Sequence, residues 1–216
     1  MSAFPTSLPG LYAIADEVCF SNASDSATAL ILFASELVSA GVRFLQYRNK
    51  DGNSRQMLGQ ARELRRLLGQ RTRLIMNDRA DLCVAAGFDG VHLGQDDVSA
   101  AGARAIFGRV LGKALWVGVS IHSIDQVAQA ASGPVDYLAI GPVFPTRSKS
   151  NPDPVIGLEG VRAARAATSK PLVAIGGITR QNCRSVIDAG ADSVAVISDL
   201  LASPAKSAEE FLRALG

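Results

Sequence analysis

This chain has little excess charge of either sign. Among 216 residues, 22 Lys and Arg stand against 20 Asp and Glu, for a formal net charge of +2. With no basic run and no interleaved aromatic stripe, it lacks the footprint of a nucleic-acid-binding surface. Cysteine is scarce: Cys19, Cys83 and Cys183 lie far apart. They match neither a disulfide framework nor zinc-ligand spacing, and read as reduced thiols of a cytoplasmic protein. Hydrophobic runs are short. Ala27 to Leu37 is interrupted by Ser35 and Glu36, so no stretch reaches transmembrane length. Met1 to Gly10 has no basic region followed by an apolar run, and no signal peptide is expected.

Hydrophobic residues make up 48% and charged residues 19%, as in a compact enzyme. The length suits one domain with a substantial core, and no composition shift divides residues 1–216. Short apolar runs alternate with helical periodicity along the whole chain. Strands are expected at Leu11–Ala15, Phe44–Arg48, Leu74–Met76, Gly90–Leu93, Leu115–Val119, Tyr137–Ile140, Leu172–Ile175 and Ser193–Ile197. Helices are expected at Asp25–Ala40, Met57–Leu68, Arg79–Ala86, Ala100–Phe107, Ser123–Ala131, Leu158–Thr168, Asn182–Ala189 and Lys206–Leu215. A long loop rich in Pro and small polar residues, Gly141 to Gly157, separates the sixth strand from its helix. Strands apolar throughout are those of a parallel sheet covered on both faces. Eight such units predict a single (β/α)8 TIM barrel near the lower length limit. A doubly wound open sheet is the alternative; without a Gly-x-Gly-x-x-Gly turn after the first strand, its dinucleotide version is disfavoured.

The chain is organised around Gly90-Val-His-Leu-Gly-Gln-Asp-Asp97, a short strand ending in a polar turn with two acids. One unit earlier, Leu74-Ile-Met-Asn-Asp78 ends the same way. On neighbouring parallel strands, Asp78 and Asp97 would meet at one rim and suit a hard cation such as Mg²⁺, held partly through water and substrate phosphate. Other polar residues fall at equivalent places: Gln46, Arg48 and Lys50 in alternation; Asn77; Gln95 and Asp96; Ser120 and His122; and Thr146, Arg147, Ser148 and Lys149. The carboxyl ends of barrel strands converge on one rim. Cations around an acid pair suit a diphosphate held by Mg²⁺ and basic side chains. Gly176-Gly177 and Ser198, after the last two strands, offer a monophosphate site. Two anion sites imply two phosphorylated small-molecule substrates, with no nucleic acid and no membrane as partner.

Seven ordered motifs carry a family resemblance. They are Gln46-Tyr-Arg-Asn-Lys50, Asn77-Asp78, Gly90 to Asp97, Gly118-Val-Ser120, Gly141-Pro-Val-Phe-Pro-Thr146 through Lys149, Ala174-Ile-Gly-Gly-Ile178 and Val194-Ala-Val-Ile-Ser198. Together they resemble thiamine-phosphate synthase. The resemblance implies a transferase that joins 4-amino-2-methyl-5-hydroxymethylpyrimidine diphosphate to thiazole ethyl phosphate, or its carboxylate form, releasing diphosphate. It implies that Gln46, Tyr47, Arg48, Asn49, Lys50, Asn77, Ser120 and Lys149 hold the pyrimidine diphosphate. Of these, Arg48, Lys50, Lys149 and Ser120 form the catalytic set. It further implies Mg²⁺ on Asp78 and Asp97, and a thiazole phosphate site of Thr146, Arg147, Ser148, Gly177, Ile197 and Ser198. One departure is visible: the family's Thr-x-Thr-Lys is here Thr146-Arg147-Ser148-Lys149, which keeps the hydroxyl and loses a methyl.

Plainer readings stand beside these. Asp78 and Asp97 could cap the third and fourth helices. His92 reads as a packed structural residue, and His122 as either a helix-cap residue or a functional one. Arg147 is a solvated loop charge unless it meets a phosphate. Gly176-Gly177 could be a plain turn. Arg62, Arg65 and Arg66 read as a solvated helix face. The Gly141–Gly157 loop is a candidate lid. Two competing functions are a thiazole tautomerase on the same scaffold, with His122 as proton carrier, and a non-catalytic thiamine-phosphate binder.

Overall fold

In a computed structural model, which describes residues 8–112, 114–146 and 154–216, eight parallel strands close into one barrel in sequence order. The strands are β1 (Leu11–Asp16), β2 (Phe44–Arg48), β3 (Arg73–Asn77), β4 (Gly90–Leu93), β5 (Trp116–Ile121), β6 (Tyr137–Ile140), β7 (Leu172–Ile175) and β8 (Ser193–Val196). Each is followed by a helix: α1 (Ser26–Ser39), α2 (Ser54–Leu68), α3 (Ala80–Ala86), α4 (Ala100–Leu111), α5 (Ile124–Ala131), α6 (Gly157–Ala167), α7 (Cys183–Asp188) and α8 (Pro204–Leu215). β8 returns to β1 through the pairs Leu11↔Val194 to Ala13↔Val196. No helix among the described residues is long and apolar enough to cross a membrane.

Period-two alternation divides every strand between two cores. On β1, Leu11, Ala13 and Ala15 face the helices, whereas Tyr12 and Ile14 face the lumen. The lumen is filled by Tyr12, Ile14, Phe44, Ile75, Tyr137 and neighbours, with Trp116 packed against them. Side-chain filling of this kind closes the barrel below the rim and leaves its carboxyl end as the open face. β5 runs past its expected end, because Ser120 and Ile121 pair with Ala139 and Ile140.

Helix starts follow side-chain caps. Asp25 accepts from Thr28 N, Asn53 from Gln56 N, Ser99 from Gly102 N and Ser123 from Gln126 N. The capping readings of the two rim acids are therefore corrected. Arg79 holds the N-cap position of α3 with no side-chain cap bond, and α4 is capped by Ser99. His122 is not a side-chain cap either, since Ser123 caps α5.

The opposite end of the barrel carries one device three times. Asp89, Asp136 and Asp192 accept from the backbone N–H of Leu74, Val117 and Leu172 at 2.8, 2.7 and 2.7 Å. Each also pairs with an arginine of the helix that leads into the strand it accepts from: Arg65 of α2, Arg104 of α4 and Arg165 of α6, at 2.5, 2.6 and 2.9 Å. Arg65 is thus corrected: it ties α2 to the strand ends rather than lying on a solvated face.

Candidate active site

A cavity of about 910 Å³ opens at the carboxyl ends of the strands. β2 delivers Gln46 and Arg48 to it, by alternation, and Lys50 follows. The residues between differ. Tyr47 is fully buried on the helix side, where its hydroxyl donates to Gln60 Oε1. The expectation that Tyr47 binds substrate is corrected by the same period of two that turns Gln46 and Arg48 inward. Asn49 is at the cavity edge, but its side chain is engaged: Oδ1 accepts from Gly52 N at 2.7 Å, and Nδ2 donates to Gln60 Oε1 at 3.2 Å. It shapes the turn that presents Lys50.

The two acids meet as expected. Asp78 has a left-handed backbone (φ 62°), a conformation that Asp tolerates better than most residues. Its N–H donates to His92 O at 2.8 Å, locking the β3 turn against β4. Asp97 folds back so that Oδ2 accepts from Gly94 N at 2.7 Å. Burial, followed by the hydrogen bond with Asp97, pushes the Asp78 carboxyl up to about 6, against the pull of Lys50. Lys50 Nζ lies 3.3 Å from Asp78 Oδ2. Two carboxyls brought together need a proton or a cation between them. Among the described residues, no third His, Cys, Asp or Glu joins them in a metal-ligating group. A pair of oxygen donors beside open space fits a hard cation that keeps water and phosphate ligands.

Arg48 is not a bare cation. Its Nη1 donates to Asp16 Oδ2, and Asp16 is 2% exposed. Burial raises the Asp16 carboxyl, with Arg48 opposing. Asp16 was not foreseen as a site residue; the signal was Tyr12-x-Ile14-x-Asp16, an alternation that carries the acid to the lumen side.

Deeper in the cavity lies a polar chain that the sequence reading missed. Gln46 Nε2 donates to Tyr12 OH at 2.8 Å, Tyr12 OH meets Tyr137 OH at 3.0 Å, and Tyr137 OH meets His92 Nδ1 at 3.1 Å. His92 Nε2 meets Ser120 Oγ at 2.9 Å. Burial raises both phenols well above the ordinary tyrosine range, so each keeps its proton. His92 is packed, as expected, but it also lines the cavity. Gln95 Nε2 donates to the Ser120 carbonyl and anchors that residue from the turn after β4. Asn77 is 7% exposed and its buried Nδ2 has no partner among the described residues. His122 lines the cavity with Nδ1 on Gly141 O at 3.1 Å.

On the far side, Gly176 and Gly177 adopt φ of 101° and 64°. A Cβ on Gly177 would sit 2.5 Å from Pro145 O, and one on Gly176 2.6 Å from Pro142 Cα. The pair is more than a plain turn: it lets the loop after β6 lie against β7, where Val143 N and Phe144 N donate to Ile175 O and Gly176 O. The same loop's stems are clamped by Ile156 N on Pro142 O and Gly157 N on Val143 O. Thr146, Gly177, Ile197 and Ser198 all line the cavity. Arg147, Ser148 and Lys149 lie outside the described residues, as does much of the segment read as a lid.

Comparison with known proteins agrees with this geometry. Residues 11–200 match the family model described as thiamine monophosphate synthase. A thiamine-phosphate synthase of Koribacter versatilis is 60% identical over 208 residues, 96% of each chain. One from Methanospirillum hungatei is 39% identical over 196 residues, 90% of this chain and 91% of the relative. Among solved structures, thiamine phosphate pyrophosphorylase from Pyrococcus furiosus superposes with a TM-score of 0.80 at 31% identity, covering 95% of this chain and 94% of that one.

Proposed function

This chain belongs to the thiamine monophosphate synthase family, and from that premise we propose how its rim forms thiamine phosphate. The substrates are 4-amino-2-methyl-5-hydroxymethylpyrimidine diphosphate and thiazole ethyl phosphate or its carboxylate form. The observation that carries the reading is the juxtaposition of Asp78, which meets Asp97 behind it, with Lys50 on one side of the cavity and Gly177 on the other.

Asp78 and Asp97 would hold Mg²⁺, which supplies charge to the departing diphosphate. Arg48 and Lys50 neutralise the same oxygens, with Lys149 assigned beside them by the family pattern. The pyrimidine amino group pushes electron density toward the exocyclic CH2, so the carbon–oxygen bond to diphosphate breaks with its electron pair leaving on oxygen. The thiazole nitrogen then attacks the cationic carbon with its own lone pair. No proton has to be removed from the nucleophile, which accounts for a rim built on charge rather than on a nucleophile and base. Gln46 and Ser120 orient the pyrimidine, and Asn77 adds a buried donor. Thr146, Gly177, Ile197 and Ser198 anchor the thiazole phosphate, together with Arg147 and Ser148.

The tautomerase reading leaves the acid pair, Arg48 and Lys50 without a task. The same holds for a non-catalytic binder. The test is one assay: purified protein with both substrates and Mg²⁺, following thiamine phosphate with and without EDTA. Product that EDTA abolishes is expected; no product, with turnover of the thiazole carboxylate phosphate instead, would overturn the reading and make His122 the residue to mutate.

A further inference from the structure

We infer that Tyr12, Tyr137 and His92 form a polarity relay that makes Gln46 and Ser120 opposite in hydrogen-bonding sense toward the cavity, and so selects a ring offering one donor and one acceptor. The inference rests on the pyrimidine assignment above for its substrate, and on side-chain geometry for the relay itself.

The argument is a count of protons. Gln46, Tyr12 and Tyr137 are at most 3% exposed, so the polar atoms they turn toward one another must be paired donor to acceptor. A Gln46 N–H occupies the Tyr12 oxygen, so the single Tyr12 proton goes to its other partner, Tyr137. The Tyr137 proton then goes to His92 Nδ1, which must accept. With Nδ1 accepting, neutral His92 carries its proton on Nε2 and donates it to Ser120 Oγ. The Ser120 proton is left to point into the cavity, and Gln46 Oε1 is left as an acceptor there. With the Gln46 amide in this orientation an imidazolium does not fit: donation from both ring nitrogens would leave the Tyr12 proton facing another donor.

Turning the Gln46 amide reverses every link. Tyr12 then donates to Gln46 Oε1, Tyr137 to Tyr12, and His92 Nδ1–H to Tyr137; Ser120 donates to His92 Nε2. In that state Gln46 offers N–H to the cavity and Ser120 offers a lone pair. In either state, with His92 neutral, the two ends differ in sense. An aminopyrimidine supplies both halves, an amino donor and ring-nitrogen acceptors.

The relay crosses five strands, and the fold makes room for it. His92 pairs with Gly118, and Gly118 with Tyr137, across β4, β5 and β6. A Cβ on Gly118 would stand 1.9 Å from Tyr137 Cζ, so the ring needs that glycine in order to cross β5. The His92 and Tyr137 rings stack with centroids 5.6 Å apart and planes 20° apart. Tyr12, Tyr137 and His92 are thus positioning residues, acting through Gln46 and Ser120.

The test is ¹⁵N NMR of the imidazoles, which is simple here because the chain has only two histidines, His92 and His122. In the wild type, His92 Nδ1 is expected to be unprotonated. Gln46→Glu places a carboxylate where only acceptance is possible, and should put a proton on His92 Nδ1 although the two residues do not touch. Adding Tyr137→Phe to Gln46→Glu should return Nδ1 to the unprotonated state. In kinetics, Tyr12→Phe and Tyr137→Phe keep the rings and remove one hydroxyl each. Each should raise KM for the pyrimidine diphosphate about tenfold, the scale of one misoriented hydrogen bond, with KM for the thiazole phosphate within about twofold. An unprotonated Nδ1 in Gln46→Glu would overturn the relay, as would equal increases in both KM values. Absence of turnover with any substrate would count against the function instead, while the NMR result still decides the relay.

Discussion

Asp78 holds the site's main conflict between stability and function. Its pKa in the folded protein is about 6, above the ordinary carboxylate value, so the folded state holds a proton there that the unfolded chain has already released. Stability from this group is therefore greatest below about pH 4 and is lost as pH rises through 4 to 6. At neutral pH the ionised pair is a liability that a bound cation relieves. Asp78→Asn is expected to raise Tm of the metal-free protein at pH 7.5, with the gain shrinking toward pH 4.5, while removing activity. Mg²⁺ should raise Tm of the wild type at pH 7.5, less so at pH 5, and not that of the variant. Calorimetry across that pH range checks this; a variant less stable at pH 7.5 would show that burial and repulsion do not dominate at Asp78.

At the scale of elements, glycine decides which segments approach one another. Gly177 has φ 64° and no room for a Cβ beside Pro145 O and Phe144. Gly177→Ala should displace the loop after β6 and open the side of the cavity assigned to the thiazole phosphate. We expect its KM for that substrate to rise tenfold or more, with KM for the pyrimidine diphosphate changed far less. Steady-state kinetics varying each substrate in turn will separate the two, and equal changes would mean that the loop serves both halves. The element boundaries follow similar local rules. β5 extends through Ile121 because β6 offers partners, whereas α4 starts at Ala100 as expected, its cap being the local contact of the Ser99 hydroxyl with Gly102 N. Propensity alone did not reveal the longer strand, since ladder length is settled between segments.

The whole molecule separates stability from function along the barrel axis. Function gathers at the carboxyl ends, whereas the three Asp–Arg devices hold the amino ends. Asp136→Ala leaves Val117 N–H without its acceptor and takes the carboxylate partner from Arg104, which keeps the Pro134 and Leu115 carbonyls. It should lower the free energy of unfolding by about 2 kcal/mol, read from urea denaturation, with both KM values unchanged. A kinetic defect at full stability would contradict that division. The sequence by itself determined the eight units, the barrel and the rim addresses of Asp78, Asp97, Gln46, Arg48, Lys50 and Gly177, because alternation and helical period are local and barrel strands all end on one face. Only the tertiary structure decided partners. That Asp16 holds Arg48, that Arg65 belongs to Asp89, and that Tyr12, Tyr137 and His92 join Gln46 to Ser120 are contacts between residues distant in the chain. Closure of the barrel brings them within hydrogen-bonding distance, and no local pattern encodes that distance.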